Sequence, residues 1–516
     1  MADYLLGIDF GTGGAKACIT DNELNVCAYA YRPYQILVKR PGWSEHCVSD
    51  YWDAACQIIK ECLYKSAIDC KDIRMIAISC AMPSTILVDE DGVPLCNAYN
   101  LMDRRATAQI KQLLEQYGER YFFDITANRL EDQPSLISIL WEKENRPELY
   151  KKIRKVYTVS SYIKYKLSGV SNISYSDGPL YGLAYDIRKN EFRRSVLDQL
   201  DIPAEILPEV SGCEEIVGVV SEKAALETGL AAGTPLAAGQ ADCNAGWLGG
   251  GAVEPGDIQM NLGTCGNFGV IHQSTDFMDS MINIAYTAGA ENTYVVIPTT
   301  TTGGQMLRYM KENFSDLEQA AEKATGIDCY DMLNLEAEAV SAGADGLLVL
   351  PYLMGERTPL WNANARGVVF GMSLNHTKAH LVRAMMEGVA YALYQSFELV
   401  SAHYPRINYP IVLNEGGAKS RLWRRIITDV FDRPTVTLKN RFGAPYGDCI
   451  LAAKAAGLIP DYLIAREKAE YIEPMEPDGH THEMYMEYFD LFKRIYRHVE
   501  DDFEALASIR GKYLLK

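Results

Sequence analysis

The sequence predicts an α/β protein built from two similar halves, and three observations carry that prediction. Two segments, GIDFGTGGAKACITD (residues 7–21) and IQMNLGTCGNFGVI (258–271), each read as strand, small-residue turn, strand. A third, YPIVLNEGGAKSRLWRRIITDVF (409–431), reads as strand, Gly-Gly turn, helix, with Leu422, Ile426, Ile427 and Val430 on one helical face. Strand and helix signals alternate between these segments, as in IRMIAISCAM (73–82) and SLISILWEKENRPELYKKIRKVY (135–157). Such alternation builds sheets covered by helices.

The first segment sets the local argument. Tyr4 to Phe10 alternates as a strand and stops at Gly11-Thr12-Gly13-Gly14. Beyond the turn, Ala15, Ala17 and Ile19 alternate with Lys16, Cys18 and Thr20, which is strand periodicity again. The stretch is therefore a β-hairpin. It is neither a phosphate loop of the Gly-Lys-Ser/Thr type nor a dinucleotide fingerprint, which runs from strand into helix. Small residues at a hairpin tip let another molecule approach the backbone, and successive amides there form an anion nest. Thr12 adds a hydroxyl, Lys16 a positive charge and Asp9 a carboxylate suited to Mg²⁺.

The division between halves falls in the glycine-rich GWLGGGAVEPGD (246–257). The expected domains are residues 1–250, residues 251–460, and a helical extension, 461–516, packing on the second domain without chemistry of its own.

Composition limits the function. The 516 residues suffice for two to four domains, and 48% apolar with 23% charged residues is an ordinary globular balance. A net charge of -18 argues against nucleic-acid binding, which needs a basic face. The thirteen cysteines form no C-x-x-C pair, so no zinc site is expected, and they suit reduced thiols in the cytoplasm. MADYLLGIDF has no basic region or leader-like run, and no apolar stretch is long enough to span a membrane. His376 and His380 stand four apart but lack a third ligand, so packing is the better reading.

The pattern Asp9-x-Gly11-Thr12-x-x-x-Lys16 resembles the first phosphate loop of the actin/hexokinase/sugar-kinase superfamily. The hairpin at Gly263-Thr264-Cys265-Gly266 resembles its second phosphate loop, and NEGGAKSRLW (414–423) its adenosine loop. PGWSEHCVSDYW (41–52), NLMDRRA (100–106), GQADCNAGWLGGGAVEPGD (239–257), GERTPLWNANARG (355–367) and GVVFGMSLNHTKAHLVRAMMEG (367–388) together resemble the FGGY carbohydrate kinases. Within that family the GGAKSRLWRRIITDV stretch is most similar to xylulose kinases. The fold implied is two ribonuclease-H-like (actin/hexokinase-type) domains with a catalytic cleft between them.

The resemblance implies an ATP-dependent kinase of a small sugar, with Mg²⁺ as cofactor. Asp242 would be the general base, since an aspartate can orient a sugar hydroxyl and take its proton. Asp9 and Asp242 would hold the metal. Gly11, Thr12, Gly13, Lys16, Gly263, Thr264, Gly303, Gly304, Gly416, Gly417, Ala418 and Arg421 would serve the nucleotide. Trp43, Glu45, Met82, Ser84, Asp103, Arg105 and Asp242 would serve the sugar. Ketopentoses lead, xylulose first. The sequence departs from xylulose kinases at Pro83-Ser84, where His-Gly is usual, and has Leu101 where glycerol kinases have tryptophan. A glycerol- or erythritol-type polyol, gluconate, ribulose, fuculose or an autoinducer-type sugar therefore stay open. A non-catalytic ATPase and a sugar sensor are the readings outside catalysis. No nucleic acid or membrane partner is expected, and the resemblance allows a homodimer.

Overall fold

In the computed structural model, which describes residues 3–130, 135–289 and 292–513, the chain forms two compact units. The first comprises residues 1–254, 273–295 and 442–469, and the second 255–272, 296–441 and 470–516.

The first unit is organised on one mixed sheet. Strands β1 (Tyr4–Gly11) and β2 (Gly14–Asp21) are antiparallel, with Gly11 opposite Gly14 and Thr12-Gly13 at the tip. Strand β3 (Val26–Pro33) continues the meander. On its other side β1 lies parallel to β4 (Ile73–Cys80), which in turn pairs in parallel with β6 (Pro235–Ala237), and β5 (Ile216–Val219) closes that edge. The sheet order is β5-β6-β4-β1-β2-β3. Leu6, Ile8 and Phe10 on one face and Leu5 and Asp9 on the other are buried, as a strand covered on both faces requires. Helix α1 (Val48–Ser66) buries Tyr51, Ala55, Ile58, Ile59 and Cys62 in the same core, the spacing of one helical face. Residues 87–207 build a second core of this unit around Phe122, Leu136, Val156 and Tyr181.

The second unit repeats the pattern. Strands β7 (Asp257–Leu262) and β8 (Gly266–His272) form an antiparallel hairpin, Leu262 opposite Gly266. Strand β7 lies parallel to β10 (Asn408–Asn414), and β10 is parallel to β11 (Thr435–Leu438). The short β9 (Thr299–Thr300) pairs with β8. A glycine-tipped hairpin beside a parallel strand, occurring once in each unit, is the ribonuclease-H-like arrangement that the resemblance implied. The C-terminal helix, Gly479–Tyr513, buries Tyr485, Phe489 and Phe492 in this unit. Buried Glu387 joins it there, accepting from the Tyr485 hydroxyl at 3.0 Å and from Arg383 Nε at 2.9 Å.

The compact units are not contiguous in sequence, so their bounds differ from the division expected at residues 250 and 460. Residues 273–295 belong to the first unit. There Phe277, Ala285 and Tyr294 pack with Phe123 and Ala127, and Asn128 and Asn283 exchange side chain–backbone hydrogen bonds at 2.7 and 2.8 Å. Residues 442–469 also return to it. Their helix, Ala444–Ala455, lies against β1 at Gly7, where a Cβ atom would stand 1.9 Å from the Pro445 carbonyl oxygen. Only glycine permits that approach.

Candidate active site

The hairpin of the first unit places Lys16 opposite Asp9, and the Lys16 ammonium reaches Asp9 Oδ2 at 3.2 Å. Asp9 is buried, and its other oxygen accepts from Ser79 Oγ at 3.3 Å. Ser79 lies on β4, directly beside Asp9 in the parallel register. The tip is braced from below: Tyr34 donates its hydroxyl to the Gly11 carbonyl and Tyr31 to that of Gly13. The tip is thus anchored through the carbonyls of Gly11 and Gly13. Ser79 Oγ also donates to the buried Asp448, at 2.6 Å from its Oδ2. Burial holds the Asp448 carboxyl well above the ordinary range.

Asp242 opens the helix Asp242–Gly249. Ala241 is the cap residue, so Asp242 sits in the first turn, a favoured place for an anion. Its Oδ1 accepts from the Cys243 amide at 2.7 Å. Burial and then the negative charge of Asp9 push its carboxyl up to about 7, while the Cys243 amide and Lys16 pull the other way. Asp242 therefore shares an electrostatic environment with Asp9 and Lys16. Backbone contacts fix it in place: the Ala241 amide donates to Ser176 Oγ at 3.0 Å, and Lys164, fully buried, donates to the Ala238 carbonyl.

Trp43, Glu45, Asp103 and Arg105 also come together, but they turn on one another. The Arg105 guanidinium bonds Glu45 at 2.7 Å and Asp103 at 2.8 Å with only 1% of its side chain exposed. It is stacked between the Trp43 ring at 3.9 Å and the Tyr99 ring at 3.8 Å. Burial alone would raise the Glu45 carboxyl, but Arg105 and Asn97 outweigh it and hold it below its usual value. Asp103 Oδ2 also accepts from the Ser44 amide at 2.8 Å. Arg105, Glu45 and Asp103, among the residues expected to meet a sugar, thus also tie residues 44, 45 and 97–105 to one another, and the buried Nη1 of Arg105 has no hydrogen-bond partner among the described residues. Ser84 is likewise buried, its hydroxyl accepting from the Val159 amide at 3.2 Å, and Met82 packs partly buried against both cores.

The second unit contains a cavity of about 410 Å³. Gly263, Thr264, Gly304, Gly416 and Gly417 line it, as the loop readings expected of nucleotide-binding residues. Ala418 is buried beneath it and is not a lining residue. Arg421 does not line it either: its side chain is largely exposed and reaches Glu338 at 3.6 Å. Lys419 and Arg308 supply the cavity's cationic groups instead. Sequence reasoning missed Asp328, Tyr330, Asp331 and Asn334, which stand at the start of the helix Cys329–Glu338 and line the opposite wall. The signal was present in Asp328, which caps that helix through the Tyr330 amide at 2.8 Å, and in the three-residue spacing of Asp328, Asp331 and Asn334. Ser420 Oγ donates to Asn334 Oδ1 at 2.6 Å, tying the Gly-Gly turn to that wall. Gly303 and Gly304 lie at the same hairpin, but their amides are used on it, donating to the carbonyls of Thr264 at 2.9 Å and Gly263 at 2.6 Å.

Among the described residues no group of three or more His, Cys, Asp or Glu side chains is placed to hold a metal. His380 instead caps the helix Lys378–His403 through Thr377. No helix among them is long and apolar enough to cross a membrane.

Comparison with known proteins gives the same picture over nearly the whole chain. Residues 4–249 match the model of the FGGY family of carbohydrate kinases, N-terminal domain, and residues 259–456 that of its C-terminal domain. The chain is 31% identical to a xylulose kinase of Bacillus subtilis strain 168, covering 98% of this chain and 99% of that one. It is 27% identical to a gluconokinase of Bacillus licheniformis over 98% of both. The crystal structure of xylulose kinase from Rhodospirillum rubrum superposes with a TM-score of 0.85 at 25% identity, over 97% of this chain and 100% of that one. With both family domains matched in order and both hairpins in place, the chain belongs to the FGGY family of carbohydrate kinases.

Proposed function

We propose that this kinase transfers the γ-phosphoryl group of ATP to a hydroxyl of a ketopentose, xylulose first, with Asp242 as the general base. The observation that carries the proposal is the setting of Asp242: a first-turn carboxylate, raised to about 7, electrically coupled to Asp9 and Lys16 of a braced phosphate hairpin. A base with that value is about half ionised at neutral pH and basic enough to take a proton as the hydroxyl attacks. Lys16 and the tip amides then meet the phosphates, and the Gly-Gly turn with Asn334 and Tyr330 meets the adenosine.

Asp9 and Asp242 suit Mg²⁺. Both are oxygen donors, and their repulsion leaves a net negative charge that Lys16 only partly offsets. Two carboxylates suffice for Mg²⁺, which takes one or two of them and fills its remaining positions with water and phosphate. When bound, Mg²⁺ supplies charge neutralisation at the transferring phosphoryl.

Xylulose rests on the likeness to the Bacillus subtilis xylulose kinase. Gluconate is the second reading, favoured by the likeness to the gluconokinase and by Pro83-Ser84, which depart from the xylulose-kinase pattern. ADP release with Mg-ATP across xylulose, ribulose, erythrulose, glycerol, gluconate, fuculose and rhamnulose tests the proposal. Turnover strongest on xylulose supports it; turnover strongest on gluconate selects the second reading; ATP binding with no turnover on any sugar overturns both.

A further inference from the structure

The second hairpin is held by a device that neither the family resemblance nor the loop motifs assigned. The stretch Glu356-Arg357-Thr358 lies along Thr299–Thr301 and bonds it with side chains where a strand would use backbone. Glu356 Oε2 accepts from Thr300 Oγ1 at 2.6 Å, and Oε1 accepts from the Thr301 amide at 3.0 Å and the Arg357 amide at 2.7 Å. Thr358 Oγ1 accepts from the Thr299 amide at 2.6 Å and donates to the Thr299 carbonyl at 3.1 Å. Both side chains are buried, Glu356 at 5% and Thr358 at 2% exposure. A buried carboxylate that takes one bond from Thr300 and one from Thr301, and is itself held by the Arg357 amide, fixes that segment's position closely.

What it fixes is the phosphate hairpin. Thr299 and Thr300 pair with Asn267 and Gly266 of β8, the strand that leaves the tip. Immediately after them, the amides of Gly303, Gly304 and Gln305 donate to the carbonyls of Thr264, Gly263 and Thr264. The fit is close: a Cβ atom at Gly303 would stand 2.4 Å from the Cys265 backbone, and one at Gly304 2.7 Å from the Gly263 carbonyl. With its carbonyls drawn toward residues 303–305, the turn is held with Gly263 and Thr264 on the cavity wall.

We propose that Glu356, assisted by Thr358, is a positioning residue for the terminal phosphates of the nucleotide, acting through Thr299–Thr301 on the Gly263–Gly266 turn. The inference rests on the reading of that turn as a phosphate loop. Its signature is a loss confined to the phosphate end: the walls that meet the adenosine, at Tyr330, Asn334 and Gly416-Gly417, do not touch Glu356.

The test is calorimetric titration of ATP, ADP and AMP into the full-length protein and its variants. Glu356→Ala is expected to weaken ATP and ADP about tenfold or more while changing AMP less than about twofold. Glu356→Gln is expected to recover most of the ATP affinity. Its carbonyl oxygen still accepts the two amides, and the Thr300 hydroxyl rotates to accept from the new amide group. Thr358→Val, which keeps shape and volume, is expected to show the same selective loss in smaller measure and decides the question if Glu356→Ala does not fold. An unchanged ratio of ATP to AMP affinity in the folded variants, or a parallel fall of both, overturns the inference while leaving the phosphate-loop reading intact. A wild-type protein that binds ATP no more tightly than AMP overturns that reading, and the inference with it.

Discussion

Lys16 Nζ lies 3.2 Å from Asp9 Oδ2, and the same lysine lowers the proton affinity of Asp242. One cation thus tempers two carboxylates. Replacing Lys16 by Ala is expected to weaken ATP by about tenfold, the loss of a charge-assisted contact. It is also expected to move the acid limb of the pH–rate profile to higher pH, because an opposing charge near Asp242 is gone. Steady-state kinetics across pH 5.5–9 check both. An ATP affinity at the wild-type level counts against the hairpin as a phosphate site.

Asp242→Asn is expected to lower kcat by about a thousandfold while ATP still binds, since an amide cannot take the hydroxyl proton. Single-turnover kinetics with calorimetry separate the two effects. Turnover within tenfold of wild type would remove Asp242 from the role of base.

The wild-type kcat/KM is expected to fall as pH drops below about 7, where Asp242 gains its proton. The stability counterpart has a definite sign. Because the folded-state value is raised from 3.8, the unfolded chain releases this proton first as pH rises, and the fold loses stability between about pH 4 and pH 7. Asp242→Asn lacks that loss. Its unfolding free energy from urea titration, relative to wild type, is expected to rise across the same window and level off above it, by about 1 kcal/mol once partial solvent exposure is allowed for. A difference that does not vary with pH would mean that Asp242 is not raised in the folded protein.

Arg105→Ala is expected to destabilise the protein by about 3–5 kcal/mol, because it strands Glu45 and Asp103 in the interior. Urea denaturation measures it. If the variant keeps its stability and instead shows a raised KM for sugar, the cluster is a binding site and not a frame.

Much of this was readable from sequence where the physics is local. The two hairpins announce themselves through period-two alternation on both sides of small residues, and Leu422, Ile426, Ile427 and Val430 are buried as their spacing requires. Long-range relations were not readable. Nothing near Arg421 in sequence shows that it reaches Glu338 while Lys419 lines the cavity. The Asp328–Asn334 wall reads as an ordinary polar helix start until the Gly-Gly turn is folded opposite it. The cluster at Arg105 has the composition of a sugar site, and only the fold shows that Trp43 and Tyr99 stack on the guanidinium while Glu45 and Asp103 pair with it. Aspartate at residue 448 gave no signal at all, since its partner Ser79 lies 369 positions away.

The return of residues 442–469 to β1 sets an order on biosynthesis. A ribosome delivers β1 more than four hundred residues before the helix that seats on Gly7. The core strand of the first unit therefore waits, one face unsealed, while all of the chain between them is made. Domain-by-domain folding from the N-terminus, the common route for large chains, cannot finish its first step here. Nascent chains halted before residue 442 are the species that would most need a chaperone.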